Sequence, residues 1–385
     1  MNTLEEKTRS GQRISTAEAL EIYHTWDLLQ LGTVARHLSQ AKNGQQVGFI
    51  IDRNINYTNV CVLSCGFCNF YRRKSDEDHY TLSYEQIDQK IEATIAAGGT
   101  GMLMQGGHHP DYQLDWYEAL LSHIHQKFPS FDIHAFSPPE IYHFSHVCKK
   151  PVREILERLK AAGLKSIPGG GGEILVDRVR KKLTPGKVLS NDWLEVSATA
   201  HELGIPTSAT MMFGHIETIE DRLEHLEKVR QTQDRTGGFF SFIPWTYQHV
   251  ETALWEKNME RNLEYVGADP CIGPNHRGEG EHMGSPLQPP IHLVGSHEYL
   301  RMLALSRIFL DNFKNIQVSW LTQGVKVGQI GLQFGANDMG SIMMEENVIS
   351  QAGAHHQATT EDLTNAIRQA GFTPRKRDSC YRYLD

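Results

Sequence analysis

The sequence predicts an α/β fold in which eight βα units close into a TIM-type barrel, and three observations lead to this prediction. From Val47 onward, short apolar or β-branched runs alternate with amphipathic helical stretches, as in βαβ architecture. Eight such runs can be counted, and eight βα units close naturally into a (βα)8 barrel. The loops after the runs are rich in glycine and polar residues, and such loops carry the function of a barrel. A six-unit open barrel followed by a separate C-terminal domain is the alternative.

The predicted elements follow one another along the whole chain. Residues 1 to about 45 form an N-terminal helical segment, because Leu20, Ile22 and Trp26 give it an apolar face. The predicted strands lie near Gly48–Asn56, Gly101–Gly106, Asp132–Ser137, Leu164–Pro168, Pro206–Phe213, Phe239–Trp245, Ile316–Trp320 and Gly331–Ala336. Helices separate most of them, for example Tyr84–Ala97, Leu114–Phe128, Pro151–Ala162, Trp193–Leu203 and Ile219–Thr232. The barrel is assigned to residues 46–350, with an insertion at about 251–295, and residues 351–385 form a C-terminal tail.

The composition describes an ordinary globular protein. The 385 residues are 39% hydrophobic and 22% charged, and a net charge of -8 argues against a general nucleic-acid binder. No run of about 18 apolar residues is present, so we expect no transmembrane helix and no membrane partner. The N-terminus carries acidic residues and no apolar core, unlike a secretory signal. Six cysteines in so long a chain are no disulfide framework, and a cytoplasmic location is expected.

Three cysteines, Cys61, Cys65 and Cys68, are spaced C-x3-C-x2-C after the first predicted strand. This spacing lets three thiolates bind one [4Fe–4S] cluster, which normally takes four protein ligands, and leaves the fourth iron open. An open iron can chelate a small molecule through an amine and a carboxylate, and S-adenosylmethionine offers such a pair. One electron from the reduced cluster then breaks its sulfonium bond and gives the 5′-deoxyadenosyl radical. The sequence therefore predicts a [4Fe–4S] cluster and S-adenosylmethionine as cofactors.

Two other uses of the cysteines remain open. Structural zinc takes four ligands, commonly in two paired knuckles, whereas Cys148, Cys271 and Cys380 stand alone without a C-x-x-C partner. The alternatives are a zinc-stabilised barrel with hydrolytic chemistry and an iron–sulfur electron carrier, which would need four ligands. Release of 5′-deoxyadenosine discriminates the three, because only a radical enzyme produces it.

Aromatic residues beside the cysteines fit the same chemistry. Phe67 lies inside the last spacing, where an apolar side chain can shield the adenosyl group. Tyr71 follows in the run Asn69-Phe70-Tyr71-Arg72 and can contact adenine, although packing against the barrel rim explains it equally well. The cysteine spacing with these aromatics resembles the radical S-adenosylmethionine superfamily.

Two glycine-rich loops are candidates for binding the cofactor. Gln105, Gly106 and Gly107 follow the second predicted strand, where paired glycines let a backbone carbonyl approach the methionyl ammonium. A tight turn with positive φ is the alternative reason for these glycines. Glu173 ends a run of four glycines after the fourth predicted strand and suits ribose hydroxyls. Its alternative role is that of a carboxylate favoured by a helix dipole.

Several polar and aromatic residues are predicted at the barrel mouth. His215 follows the fifth strand and is predicted as catalytic, although a lone histidine there is more often structural. Trp245 ends the sixth strand and can stack on a flat substrate ring, with core packing as the alternative. Asn337 and Asp338 follow the eighth predicted strand and can hold sugar hydroxyls. With His108 of the second loop, Trp245, Asn337 and Asp338 form the predicted substrate site, and Asp338 is also predicted as catalytic.

Two segments carry no predicted chemistry. Residues 251 to about 295 hold Cys271, His276, His282 and His292, and their irregular spacing favours a long surface insertion over a metal site. The basic and aromatic patch near the C-terminus is predicted to be solvated surface; it comprises Arg375, Lys376, Arg377, Tyr381 and Tyr383.

Beyond the cysteine loop, about residues 45 to 355 resemble the radical enzymes of menaquinone biosynthesis through futalosine. The matching motifs are Met104–His108, His134–Glu140, Ser166–Gly171, Thr210–His215 and Phe334–Asp338. Two further motifs, Phe242–Trp245 and Ser319–Gly324, favour the cyclases of dehypoxanthine futalosine over aminofutalosine synthases and deazaflavin-precursor (F0) synthases. The insertion before Tyr299 is longer than the family pattern, so the resemblance implies nothing for it.

The resemblance implies a definite reaction. The 5′-deoxyadenosyl radical takes the C4′ hydrogen of the substrate ribose, and the carbon radical adds to the attached benzoate ring. Loss of one electron and one proton then restores aromaticity in a cyclised product, and methionine and 5′-deoxyadenosine are released. The implied partners are dehypoxanthine futalosine and a one-electron reductant such as flavodoxin or ferredoxin.

Overall fold

The barrel is built from parallel strands in eight positions. The computed structural model describes residues 3–259, 291 and 293–384. Its barrel strands are β1 (Gln46–Ile50), β2 (Asp52–Ile55), β3 (Gly101–Met104), β4 (Asp132–Ala135), β5 (Thr207–Phe213), β6 (Phe239–Thr246), β7 (Asn315–Ile316) and β8 (Asp338–Ser341). β2 continues β1 after Ile51, so the two form one interrupted strand. β2, β3 and β4 pair in this order, as do β5, β6 and β7, all in parallel.

Further pairings join these two groups into a ring. Ser166 forms a parallel β-bridge with His134 of β4, and Ile167 forms one with Thr207, the first residue of β5. These two bridges place the predicted fourth strand between β4 and β5. Gln317 pairs with Asp338, which joins β7 to β8, and β8 pairs in parallel with β1. The ring is therefore closed, and the predicted (βα)8 barrel is confirmed.

Helices connect the strands and pack against them and one another. They are α4 (Tyr84–Ala96), α5 (Leu114–Lys127), α6 (Pro138–Cys148), α7 (Val152–Ala161), α8 (Asp177–Leu183), α9 (Ser190–Glu202), α10 (Ile219–Thr236), α11 (253–259), α12 (Ser296–Phe309), α13 (Trp320–Gln323), α14 (Val325–Gly331) and α15 (Thr360–Gln369). The local sequence determines where these helices begin. For example, Ser83 and Gln86 form a capping box at the start of α4. Ile87 and Ile91 then lie on one helical face and are fully buried.

The N-terminal segment consists of α1 (Thr3–Arg9), α2 (Thr16–Thr25) and α3 (Leu28–Asn43), and α2 and α3 pack on α12. Gly32 makes room on α3, because a Cβ there would lie 2.8 Å from the ring of Phe334. Arg230 of α10 donates to the carbonyl of Ile14 at 2.9 Å. The segment is thus joined to the outer helices of the barrel.

The strand predicted at Gly331–Ala336 is wrong. Gly331 ends α14, Leu332–Phe334 form a 3-10 turn, and β8 begins only at Asp338. Leu332 and Phe334 alternate in the sequence as they would in a strand, but both are buried from a helical turn. The shift moves Asn337 and Asp338 from the end of a strand to the start of one.

The C-terminal tail is part of the barrel. β9 (Thr373–Lys376) pairs in parallel with β1 along its whole length. Arg377 follows with 3% of its surface exposed, and the ring of Tyr381 lies 5.2 Å from that of Phe240. The prediction that Arg377 and Tyr381 lie on a solvated surface is therefore wrong. The basic and aromatic sequence of this run does not indicate that Arg377 contacts a buried carboxylate, that of Asp338.

The predicted insertion lies largely outside the described residues. Cys271, His276, His282 and His292 lie outside the described residues. Within the described ranges, no helix is both long and apolar enough to cross a membrane.

Candidate active site

The cysteine loop follows β2 and is held to neighbouring loops through its backbone. Cys61 donates its N–H to the carbonyl of Arg72 at 2.9 Å, and Gly66 donates to the carbonyl of Leu183 at 2.8 Å. The N–H of Val62 bonds to the carbonyl of His108 at 3.0 Å, which fixes the loop against the second glycine-bearing loop. The loop therefore lies at the carboxyl ends of the barrel strands, where a barrel carries its chemistry.

The donor set of this loop fits an iron–sulfur cluster. Cys61, Cys65 and Cys68 are free thiols and partly exposed. Burial raises the pKa of the Cys65 thiol to about 12 and also raises the pKa of the Cys68 thiol. Binding of a metal cluster releases the thiol protons, because the thiolate is the ligand. Among the described residues, no three His, Cys, Asp or Glu side chains surround one common ion position. The thiolates of a [4Fe–4S] cluster bind different irons, so its ligand sulfurs stand farther apart than those of a single ion.

Gly106 and Gly107 are required by close packing behind the cysteine loop. A Cβ on Gly107 would lie 2.1 Å from the carbonyl oxygen of Val60, and one on Gly106 would lie 2.5 Å from the ring of Tyr57. Neither glycine has a positive φ, so the alternative explanation as a positive-φ turn is wrong. The N–H of Gly106 donates to Glu140 at 3.0 Å, which fixes the loop to the start of α6.

Glu173 is a buried carboxylate beside the cysteine loop. Lys187 donates to one of its oxygens at 3.0 Å, and Arg180 lies 3.5 Å from the other. The Lys187 ammonium also lies 5.6 Å from the centre of the Phe67 ring, and its charge opposes the effect of burial on the pKa of Cys65. Because α8 begins only at Asp177, the alternative role of Glu173 as a helix-start carboxylate is wrong.

Lys187 was missed by sequence reasoning. It follows Glu173 by 14 residues, outside any motif, and only the fold brings it to the carboxylate. With 12% of its side chain exposed, it is a buried cation that joins Phe67 and Glu173, two predicted cofactor residues, to the cysteines.

The barrel contains a cavity of about 260 Å³. Gln105, Gly170 and Trp245 line it from the loops and strand ends near the cysteines, whereas Arg377 and Tyr381 of the tail line it from the opposite end. A Cβ on Gly170 would lie 2.3 Å from the Gln105 amide nitrogen, so the two predicted loops meet at the cavity wall. The cavity is the space in which these elements can hold a substrate.

Trp245 separates this cavity from the cysteine loop. It also lines a small adjoining cavity of about 30 Å³, whose walls include Phe67 and Cys68. The side chain is partly buried and reaches both spaces. Trp245, Phe67 and Gln105 are therefore predicted residues that the fold brings together.

His108 and Tyr71 lie near the cysteine loop but outside the described wall of the barrel cavity. His108 is 8% exposed and stacks on His143, with ring centroids 4.9 Å apart. Burial lowers the pKa of His108 well below its usual range, so the imidazole is neutral. Tyr71 packs against Arg73, whose guanidinium lies 5.1 Å from the ring centroid.

His215 is enclosed by its own loop. Its Nδ1 lies 3.0 Å from Glu217, and its Nε2 lies 3.1 Å from the carbonyl oxygen of Met212. Glu217 also accepts from Arg222 at 2.8 Å, and these partners hold the pKa of Glu217 far below its usual range against the effect of burial. Both ring nitrogens of His215 are thus occupied, and its side chain is fully buried.

The predicted placement of Asn337 and Asp338 at the barrel mouth is wrong. Both lie at the start of β8, so they face the amino-terminal end of the barrel. Asn337 accepts from Arg307 at 2.7 Å and donates to Asn315 at 2.9 Å. Asp338 accepts from Arg377, at 2.6 Å from Nε and 2.8 Å from Nη2. These bonds use the polar groups that the sequence analysis assigned to sugar hydroxyls.

Sequence reasoning also missed two polar residues of the cavity wall, Asp52 and His134. Asp52 accepts a hydrogen bond from Ser341, and His134 Nδ1 lies 2.8 Å from the Ser166 hydroxyl. Asp52 ends the apolar run Phe49–Ile51, His134 stands between Ile133 and Ala135, and both line the barrel cavity. An ionisable residue at such a position of a barrel strand was a signal available in the sequence.

Comparisons with known proteins give the family. Residues 55–229 match the radical SAM superfamily, and residues 285–385 match the CofH/MqnC C-terminal region. The chain is 39% identical to cyclic dehypoxanthine futalosine synthase of Streptomyces coelicolor, over 98% of this chain and 88% of that one. It is 36% identical to the enzyme of that name from Halalkalibacterium halodurans, over 98% and 94% of the two chains. Aminodeoxyfutalosine synthase of Thermus thermophilus is 35% identical over the same shares.

The chain belongs to the radical S-adenosylmethionine superfamily. It is an enzyme, and membership implies a [4Fe–4S] cluster and S-adenosylmethionine at the cysteine loop. The resemblance to radical enzymes of the futalosine pathway is confirmed. Methylornithine synthase (PylB) is 16% identical with a TM-score of 0.69 over 97% of each chain, and HydG from Carboxydothermus hydrogenoformans is 16% identical with a TM-score of 0.70 over 98% of this chain and 80% of that one. These two structures share the fold.

Proposed function

We propose that this enzyme cyclises dehypoxanthine futalosine to cyclic dehypoxanthinyl futalosine in menaquinone biosynthesis. The observation that carries the proposal is the 39% identity to a cyclic dehypoxanthine futalosine synthase over 98% of the chain. The cavity beside the cysteine loop supports it, because a radical reaction needs a substrate held near the cofactor.

In this proposal, different residues of the site bind the cluster and S-adenosylmethionine. When bound, the cluster and S-adenosylmethionine supply a 5′-deoxyadenosyl radical that takes the C4′ hydrogen of the substrate. Cys61, Cys65 and Cys68 hold the cluster, and Glu173 accepts from the ribose hydroxyls of S-adenosylmethionine. Lys187 holds the Glu173 carboxylate in place through a hydrogen bond of 3.0 Å in a buried site.

Trp245 and Gln105 position the substrate in this proposal. Trp245 offers a flat apolar face to the benzoate ring at the wall between the cavity and Phe67. Gln105 lines the same cavity and offers an amide to the polar groups of the substrate. Catalytic roles for His215 and Asp338 are not retained, because other side chains and backbone groups occupy their polar atoms. A one-electron reductant such as flavodoxin or ferredoxin and a cytoplasmic location complete the proposal.

A second candidate is aminodeoxyfutalosine synthase, which the 35% identity to the Thermus thermophilus enzyme favours. Product analysis separates the two. The anaerobically reconstituted protein should convert dehypoxanthine futalosine to a product lighter by two hydrogens, with equimolar 5′-deoxyadenosine. Formation of an adenosyl adduct from the substrate of the sibling enzyme, with no reaction on dehypoxanthine futalosine, would overturn the proposal.

A further inference from the structure

The wall of the barrel cavity carries a set of ionisable side chains that are not assigned to the cofactor. Asp52, His134, Arg377 and Tyr381 are the titratable residues among the described residues of the cavity wall. Arg377 and Tyr381 come from the C-terminal tail, so the tail contributes to the cavity wall. The cavity therefore has polar groups as well as an apolar surface.

Asp52 presents a carboxylate to this cavity. It is the first residue of β2 and is 9% exposed, and it accepts a hydrogen bond from the Ser341 hydroxyl of β8. Ser341 binds one carboxylate oxygen, and no second hydrogen-bond donor to this carboxylate is found in the described part of the chain. The other oxygen is available to a molecule in the cavity.

The other three titratable groups of the wall are poor proton acceptors. His134 is held by the Ser166 hydroxyl, and burial lowers its pKa to about 3. Tyr381 donates its hydroxyl to Gln317, and a phenol that is neutral at ordinary pH has no proton to gain. Arg377 is bound to both oxygens of Asp338 and is a cation. Asp52 is the remaining base.

We infer that Asp52 is the proton acceptor of the barrel cavity and takes the ring proton that leaves when the benzoate ring of the cyclised substrate regains aromaticity. This inference rests on the proposed function. It names a residue for a step that neither the family match nor the relatives assign.

The substrate loses its C4′ hydrogen atom to the 5′-deoxyadenosyl radical, and a C4′–aryl bond forms, which leaves an unpaired electron on the ring. The aryl C–H bond at the new junction breaks, its proton goes to the free oxygen of Asp52, and its electron pair returns to the ring. The unpaired electron leaves to a one-electron acceptor of the iron–sulfur class. Asp52 then loses the proton to solvent as product departs.

The electrostatics of the site suit this role. Burial raises the pKa of Asp52 from 3.8 to about 6, while the Ser341 hydrogen bond and the charge of Arg377 oppose the rise and Asp338 adds to it. His134 of β4 and Tyr381 of the tail face the same space and are uncharged. A base whose pKa lies just below the working pH is ionised and still holds a proton effectively.

The test compares Asp52→Asn with the wild-type enzyme, because an amide keeps the shape and can still bond Ser341 but cannot take the proton. We expect the holoenzyme variant to bind dehypoxanthine futalosine within threefold of wild type. It should form 5′-deoxyadenosine while releasing at least tenfold less cyclised product per 5′-deoxyadenosine. His134→Gln is the matched control and should keep the two products equimolar. Equimolar products from Asp52→Asn would overturn the inference and leave the proposed function standing, whereas a wild-type enzyme that makes no cyclised product would overturn the proposed function.

The titration of Asp52 can also be measured without enzyme turnover, through the pH dependence of protein stability. A carboxyl group whose pKa is raised on folding binds its proton more tightly in the folded state. Wild-type protein should therefore lose stability relative to Asp52→Asn as pH rises from about 4 to about 6, and the difference should level off above that range. Urea midpoints of the two proteins measured from pH 4.5 to 8 report this. A constant difference would show that Asp52 does not titrate in this range and would overturn the inference.

Discussion

Arg377 donates hydrogen bonds to both carboxylate oxygens of Asp338, with Nε 2.6 Å from one and Nη2 2.8 Å from the other. Both side chains are almost fully buried, at 4% and 1% exposure. The contact joins the first residue of β8 to the residue that follows β9, so it ties the C-terminal tail to the barrel ring. The guanidinium also lies 3.5 Å from the centre of the Tyr381 ring, which extends the contact to the cavity wall.

Removing one partner of this pair should destabilise the fold. Arg377→Met leaves the Asp338 charge buried without a partner, which typically costs about 3–5 kcal/mol. Urea unfolding measures the loss, and the double variant Arg377→Met/Asp338→Asn should recover most of it. Arg72→Met is the surface control, because its partner Asp78 is 64% exposed, and we expect a change below about 1 kcal/mol. Equal losses from Arg377→Met and Arg72→Met would contradict the role assigned to the buried pair.

Cluster loading should depend on three cysteines. Anaerobic reconstitution should give about four irons and four sulfides per chain. Alanine at Cys61, Cys65 or Cys68 should abolish the cluster, whereas alanine at Cys148, which accepts from the Leu114 N–H at 3.2 Å, should not. Iron and sulfide analysis with the visible absorption spectrum reports the outcome. A cluster that survives Cys65→Ala would refute the assignment.

Gly107 should be intolerant of any side chain. A Cβ would meet the carbonyl oxygen of Val60 at 2.1 Å and the Cβ of Cys61 at 3.0 Å, so the cysteine loop must move. We expect Gly107→Ala to lose at least half of the bound iron and about 1–3 kcal/mol of stability. Gly237→Ala is the control, because nothing lies within 4 Å of its Cβ position and only its φ of +64° is unfavourable. Normal iron content in Gly107→Ala would show that the loop tolerates the displacement.

Glu173→Gln should weaken the binding of S-adenosylmethionine. An amide accepts hydrogen bonds less strongly than a carboxylate, and the loss of a charge-assisted bond corresponds to about tenfold in affinity or more. Because Lys187 and Arg180 also lose their partner, some loss of stability is expected as well. Equilibrium dialysis of folded, cluster-loaded variant separates the two effects. Unchanged affinity with lower stability would make Glu173 a structural residue only.

The sequence predicted the barrel because its signals are local. Alternating runs and helix caps such as Ser83 with Gln86 lie within one element, and the cysteine spacing lies within one loop. The eighth strand failed because Leu332 and Phe334 show a strand-like alternation in a helical turn. Local pattern alone cannot distinguish these two conformations when both bury the same residues.

The parts of the site that could not be predicted depend on contacts between distant segments. Lys187 reaches Glu173 through the fold of the loop around α8, and Arg377 reaches Asp338 across 39 residues. Neither cation stands in a motif, so the sequence showed only a lysine in a loop and a basic tail. The signal that could have been used was Asp52, a carboxylate that directly follows the apolar run Phe49–Ile51 within a strand.

The most direct test of the proposed cyclase follows one hydrogen atom. Dehypoxanthine futalosine deuterated at C4′ is supplied to the reconstituted enzyme with S-adenosylmethionine and a one-electron reductant, and the released 5′-deoxyadenosine is analysed by mass spectrometry. The account predicts one deuterium atom in each 5′-deoxyadenosine, together with a cyclised product that lacks it. Unlabelled 5′-deoxyadenosine, or an adenosyl adduct in its place, would contradict the account.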